Sequence, residues 1–196
     1  MHATFRTIAL TTVFLAAGRA SAQAVAAAAL RVTPTVFGGV SATETGVNSG
    51  RNLGFTAGVD MEIPRKGILR PALEYRGTLA IDQGAVDSQK DQLGGVRLGL
   101  HLPRFEPYVT ALAGRGEIQY LVPLQVPGTP VFYTKSSSNV FAFGGGADLR
   151  LSSHFSVKAD LQSQHYDTPV AASGHIFATT AILGIAYRVH FGLRKR

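Results

Sequence analysis

FSVKADLQSQHY, residues 155–166, alternates strictly at its start: Phe155, Val157, Ala159 and Leu161 interleave with Ser156, Lys158, Asp160 and Gln162. A period of two is that of a β-strand with one apolar and one polar face. Which face looks inward decides the fold. In a soluble sandwich or lipocalin-like barrel the apolar residues fill the interior and the polar ones meet water; in a membrane barrel the arrangement is reversed.

Working outward, the same period recurs in segments 32–41, 52–63, 68–81, 92–102, 107–118, 138–151 and 175–191, so with 155–166 eight strands are expected. In the second, Leu53, Phe55, Ala57, Val59, Met61 and Ile63 oppose Asn52, Gly54, Thr56, Gly58, Asp60 and Glu62. Pro34 leaves two registers open for the first strand, and Pro71 sits awkwardly in the third because it lacks a ladder donor. In the fifth, Arg115 and Glu117 place Val109, Ala111 and Ala113 on the polar side. Most segments reach the length of about 9–11 residues that a tilted membrane strand needs, beyond the usual globular strand of about 5–6.

The connections alternate as regularly as the residues. Segments 42–51, 82–91, 119–137 and 167–174 are long, whereas 64–67, 103–106 and 152–154 are short. An even-stranded meander with short periplasmic turns at one end and long extracellular loops at the other has this layout.

Charge on the polar faces supports a confined interior. Asp60, Glu62, Glu74, Glu117, Asp148 and Asp160 stand against Arg70, Arg76, Arg97, Arg115, Arg150, Lys158 and Arg188. This near balance suits a closed lumen in which buried charges must be paired. The apolar faces carry almost no charge, as a lipid-facing surface requires, since Arg or Lys costs about 2–4 kcal/mol at the bilayer midplane. Phe55, Tyr75, Tyr108, Phe141, Phe155, Tyr187 and Phe191 fall mostly near strand ends and are expected to form interfacial girdles.

The remaining composition narrows the function classes. The chain has 196 residues, 22 of them Gly, and no Cys, which excludes disulfides, thiolate ligands and Cys nucleophiles. Residues 1–22 read as a signal peptide: basic Arg6, an apolar run from Ile8 to Ala17, and Ala20-Ser21-Ala22 before the expected cut. Losing Arg6 and Arg19 lowers the formal charge from +7 to +5. Residues 23–30 form a short N-terminal segment, 31–191 the barrel and 192–196 a basic tail. Lys and Arg are scattered elsewhere, so no nucleic-acid partner is expected.

Two groups carry possible chemistry. His154-Phe155-Ser156 has the His-x-Ser spacing of lipid A deacylases, but it lies at a short turn, away from outer-leaflet lipid. His165, Tyr166, Asp167, Ser173 and His175 flank one long loop and could approach one another as a nucleophilic or metal-binding group. Rim polarity explains them more simply. No nucleotide, EF-hand or HExxH motif appears, and Gly144–Gly146 precede no helix, so they read as strand curvature. No cofactor, metal or catalytic residue is expected.

FEPYVTALAGRG at 105–116, FAFGGGADLRL at 141–151, FSVKADLQSQHY at 155–166 and ILGIAYRVHF at 182–191, with the signal peptide, resemble the eight-stranded outer-membrane β-barrel family that includes the OmpA transmembrane domain and porin-like proteins. The resemblance covers residues 30–191. It implies a closed antiparallel eight-stranded up-and-down transmembrane β-barrel in the outer membrane of a Gram-negative-type bacterium. Outer-membrane lipid and, during insertion, the barrel assembly machinery are the implied partners. Phe191 matches the family's terminal aromatic, displaced by the following GLRKR, and the separate wall-binding domain of the family has no room. Eight strands enclose little more than side chains. The expectation is therefore a monomeric, non-enzymatic, structural or surface-binding protein, with a narrow or transient channel and a soluble lipocalin-like carrier as alternatives.

Overall fold

The computed structural model describes residues 32–46, 50–63, 65–82 and 87–189. The expected signal peptide, the segment 23–30, Phe191 and the basic tail lie outside the described residues. Eight strands follow in order: β1 (Thr33–Glu44), β2 (Arg51–Glu62), β3 (Leu69–Asp82), β4 (Asp87–Leu100), β5 (Phe105–Gln125), β6 (Phe132–Arg150), β7 (Phe155–Asp167) and β8 (His175–Arg188). Each pairs antiparallel with its chain neighbours, and β1 pairs with β8 from Thr35↔Arg188 to Glu44↔Thr179, closing the cylinder.

Orientation follows from exposure. Val40, Leu79, Phe143 and Leu183 are 62, 61, 65 and 59% exposed, whereas Arg76 and Lys158 are 1% exposed. The cylinder is thus apolar outside and polar within, opposite to a soluble carrier. In hydrocarbon each unpaired backbone group costs several kcal/mol, so closure by the β1–β8 seam removes the edges that an open sheet would leave. Within FSVKADLQSQHY, Lys158, Asp160, Gln162, Gln164 and Tyr166 are buried inside, and Phe155 and Leu161 are exposed outside.

Pro34 and Pro71 both lie at the short-turn end of their strands. Pro71 opens β3 opposite Leu98, and its carbonyl still accepts from Ile63 N at 2.9 Å. Pro34 occurs once in a single β1 register, opposite Met61, and accepts from Val189 N at 2.9 Å.

The long-loop end differs from the sequence expectation. The strands run further than 42–51, 82–91 and 119–137 suggested, so β4 begins at Asp87 and β5–β6 form a hairpin out to Gln125 and Phe132. The β5–β6 ladder runs to Gln119↔Lys135, breaks at an irregularity, and resumes at Leu124↔Tyr133 and Gln125↔Phe132. The tip is closed by Val126 N donating to Val131 O at 2.9 Å and Gln125 Nε2 to Thr129 O at 2.7 Å.

β5 also faces the other way. Tyr108, Thr110, Leu112 and Ile118 are buried inside, so Arg115 and Glu117 look outward and are not part of the lumen. Tyr108 therefore belongs to the interior and not to a girdle. The barrel makes room for it with glycine: a Cβ on Gly146, its cross-strand partner, would sit 2.6 Å from the Tyr108 hydroxyl.

Candidate functional site

The inward side chains build the site in layers. At the short-turn mouth, Glu106 on β5 gathers Arg188 at 3.0 Å, His101 Nδ1 at 2.6 Å and Arg150, while Glu62 takes Arg70 at 3.3 Å and Arg188 at 3.7 Å. The cavity left in this mouth, bordered by Glu62, Arg97, Glu106 and Arg188, is about 30 Å³. That is room for one water molecule or little more.

Deeper in, seven charged groups interlock. Arg97 on β4 bridges Asp60 on β2, at 2.5 Å, and Asp148 on β6. Lys158 on β7 lies between the same two carboxylates, at 3.4 and 3.8 Å. Arg76 on β3 donates to its strand neighbour Glu74 and, through both terminal nitrogens, to Asp160 on β7 at 3.0 and 3.2 Å. The fork of a guanidinium fits a carboxylate in this two-point way. Arg97 to both of its carboxylates, Lys158 to Asp60 and Arg76 to Asp160 cross the barrel, so these charges tie together strands that are not neighbours in the sheet.

Two aromatic rings complete this layer. Tyr108 donates to Asp160 at 2.8 Å, and Arg97 stacks 3.8 Å above its ring. Lys158 Nζ sits 4.4 Å from the Tyr108 ring centre and 4.5 Å from that of Phe37. A cation held over a ring face in a desolvated site gains about 2 kcal/mol.

Above this the chemistry changes. Thr56–Thr78 and Thr43–Thr180 hydroxyl pairs, at 3.1 and 3.0 Å, mark the transition. Beyond them Gln89 Nε2 donates to Gln164 Oε1 and to the Tyr166 hydroxyl, each at 2.6 Å, while Gln164 and Tyr166 donate to Asp91 at 3.3 Å. Around this amide cluster pack Leu93, Leu112, Ile118, Tyr120, Val140 and Ile176. Gly116 leaves the space for Tyr166, since a Cβ there would come within 2.5 Å of its ring.

Of the thirteen residues expected in the lumen, eleven point inward or line its mouth: Asp60, Glu62, Arg70, Glu74, Arg76, Arg97, Asp148, Arg150, Lys158, Asp160 and Arg188. Arg115 and Glu117 are the corrections. Sequence reasoning missed Asp91 and Glu106, assigned to loops, and the two aromatics Phe37 and Tyr108. Parity would have found Asp91, which is in step with Arg97; Glu106 is in step with Tyr108, on a strand whose inward side hydropathy alone does not give.

The possible catalytic groups are divided by the wall. Tyr166 is buried inside, while His165, His175 and Phe177 form an outer aromatic cluster with ring centres 5.1–5.7 Å apart. Ser173 Oγ donates to the His175 carbonyl at 2.7 Å, not to an imidazole, and Asp167 is exposed on the strand end. At the short turn, His154 stacks on Tyr187 at 5.9 Å and meets Ser153 Oγ at 2.8 Å, whereas Ser156 lines the mouth of the lumen. Among the described residues no group of three or more His, Asp or Glu could hold a metal ion.

Comparison with known proteins agrees with this geometry. Neisserial surface protein A is similar at 12% identity and a TM-score of 0.52, covering 82% of this chain and 97% of its own. The Yersinia pestis attachment invasion locus protein Ail is similar at 14% identity and 0.49, covering 81% and 99%. The N-terminal β-barrel domain of Pseudomonas aeruginosa OprF gives 15% and 0.40, over 81% and 99%. At 12% identity the likeness to Neisserial surface protein A is one of fold. A search of curated proteins finds no match. Residues 8–188 match the family model described as outer membrane protein beta-barrel domain. The protein is accordingly an outer-membrane barrel of a Gram-negative-type cell, and the chain belongs to the outer membrane protein beta-barrel domain family.

Proposed function

We propose that this chain is a non-conducting, non-enzymatic outer-membrane protein that acts as a structural element and as a display platform for its extracellular hairpins. The reading rests on the filled interior: crossed ion pairs occupy one half, an amide and hydrocarbon plug the other, and the mouth cavity is about 30 Å³. Hydrated ions need a continuous polar path. Leu93, Leu112, Ile118 and Val140 interrupt it with hydrocarbon.

The display role is supported by the β5–β6 hairpin, which carries Leu121, Val122, Val131, Phe132 and Tyr133 exposed beyond the apolar band. Exposed apolar residues on a projecting hairpin are characteristic of contact surfaces. Residues 1–22 act as a cleaved export signal in this scheme, the assembly machinery inserts the chain, and the barrel works as a monomer.

Planar-bilayer recording at high salt tests the central claim. The expected result is a flat trace from refolded, heat-modifiable protein. Reproducible unitary steps would replace this reading with the narrow channel.

A further inference from the structure

Two imidazoles meet on the outer wall at the long-loop end. His165 on β7 and His175 on β8 are half-buried, and their ring centres lie 5.1 Å apart with the planes 33° from each other. Phe177 backs both edge-on, its ring centre 5.2 Å from that of His165 and 5.7 Å from that of His175. The ladder fixes this arrangement. His165 pairs with Phe177 and Asp167 with His175, so the two-residue period turns all four side chains to the same outward face.

Packing alone does not account for the pair. Phenylalanine rings would fill these places, as Phe141 and Phe177 do on either side of His165 in its row. Instead there are two side chains whose ring nitrogens make no hydrogen bond with the described residues. A neutral imidazole nitrogen is a good ligand for Zn²⁺, Ni²⁺ and Cu²⁺. One nitrogen of each ring at about 2.0–2.1 Å from a tetrahedral Zn²⁺ sets the ring centres about 5 Å apart. The observed separation meets that requirement. Asp167, opposite His175, brings a carboxylate that makes no ion pair among the described residues, and its charge favours a dication over an anion.

We propose that His165 and His175 form a two-point site for a transition-metal dication at the extracellular rim. The protein supplies two ligands, and among the described residues no third His or carboxylate closes the set. Water fills the open positions, so the site suits reversible capture and not a permanently held structural ion. It lies outside the wall and does not depend on whether the lumen conducts.

The test is calorimetric titration of Zn²⁺ into the full barrel, refolded in detergent without an affinity tag, with Cu²⁺ as a paramagnetic substitute. Wild type is expected to bind one Zn²⁺. His165→Phe and His175→Phe keep the ring packing, and each should weaken binding about tenfold or more, because the second imidazole closes on the metal intramolecularly. His154→Gln, at the short-turn end, should leave it unchanged. The Cu²⁺ resonance should carry the hyperfine pattern of two nitrogens in wild type and of one in either Phe variant, a change that a packing role does not produce. Heat-modifiable migration verifies that each variant is folded. No binding by wild type, loss in only one of the two Phe variants, an equal loss in His154→Gln, or a one-nitrogen pattern in wild type would overturn the proposal.

Discussion

From the short-turn mouth to the level of Asp160 the interior is packed with ionised groups, whereas from Leu93 to Tyr120 it is packed with hydrocarbon, amides and hydroxyls. Both halves fill the same cylinder to near exclusion of water, but they tolerate damage differently. Ion pairs resist the loss of one partner because the survivor is left charged in a low dielectric; hydrocarbon resists the loss of volume. The charged half depends on pairing, the apolar half on shape.

The largest separation of the two should come from Arg76→Met. It strands Glu74 and Asp160 without their shared cation, and equilibrium urea unfolding in lipid vesicles should record a loss of about 3–5 kcal/mol. Replacing Glu74, Arg76 and Asp160 together by apolar residues of similar volume should return most of that loss, since the penalty lies in the unpaired charge and not in the missing bridge. A triple variant weaker than the single one would remove the distinction between the halves.

Leu93→Ala in the apolar half, at a fully buried position, should cost about 2–4 kcal/mol through the cavity it leaves, with no rescue available from a second charge change. Gly116→Ala should follow at about 1–3 kcal/mol, because the added methyl meets Tyr166 and Val140 in a packed interior. Near-UV dichroism of the buried tyrosines gives a second readout of that displacement. Glu106→Gln at the solvent-reached mouth should have the smallest effect, about 1 kcal/mol and reduced by added salt, as partly exposed pairs are. An effect as large as that of Arg76→Met would move the boundary of the desolvated zone down to the mouth.

The same division explains what was legible in the sequence. Strand number, closure and the orientation of β7 follow from alternation, because Lys158 and Asp160 mark the inward side against Val157 and Leu161. β5 misleads for a physical reason. It enters the apolar half, where its inward residues are Leu112 and Ile118, while its outward ones emerge from the band as Arg115 and Glu117. Hydropathy therefore reverses along one strand, and only the register, Tyr108↔Gly146 beside Glu106↔Asp148, shows which side is which. Asp91 was hidden because strand pairing outlasts the membrane, so a loop boundary drawn from polarity falls too early. The candidate chemistry of His165, Tyr166 and His175 was legible as proximity in sequence but not as its division by the wall.

The hydroxyls of Thr43 and Thr180, 137 residues apart in sequence, meet across the seam at 3.0 Å. No shorter route along the chain joins β1 to β8, so this contact carries the greatest loop-closure entropy of the barrel. The seam works as a clasp. Until it fastens, two bare sheet margins confront the lipid, and once fastened it can release only by exposing both margins together. Departure from the membrane must therefore break a ring of pairing that has no free end, and that requirement raises its kinetic barrier.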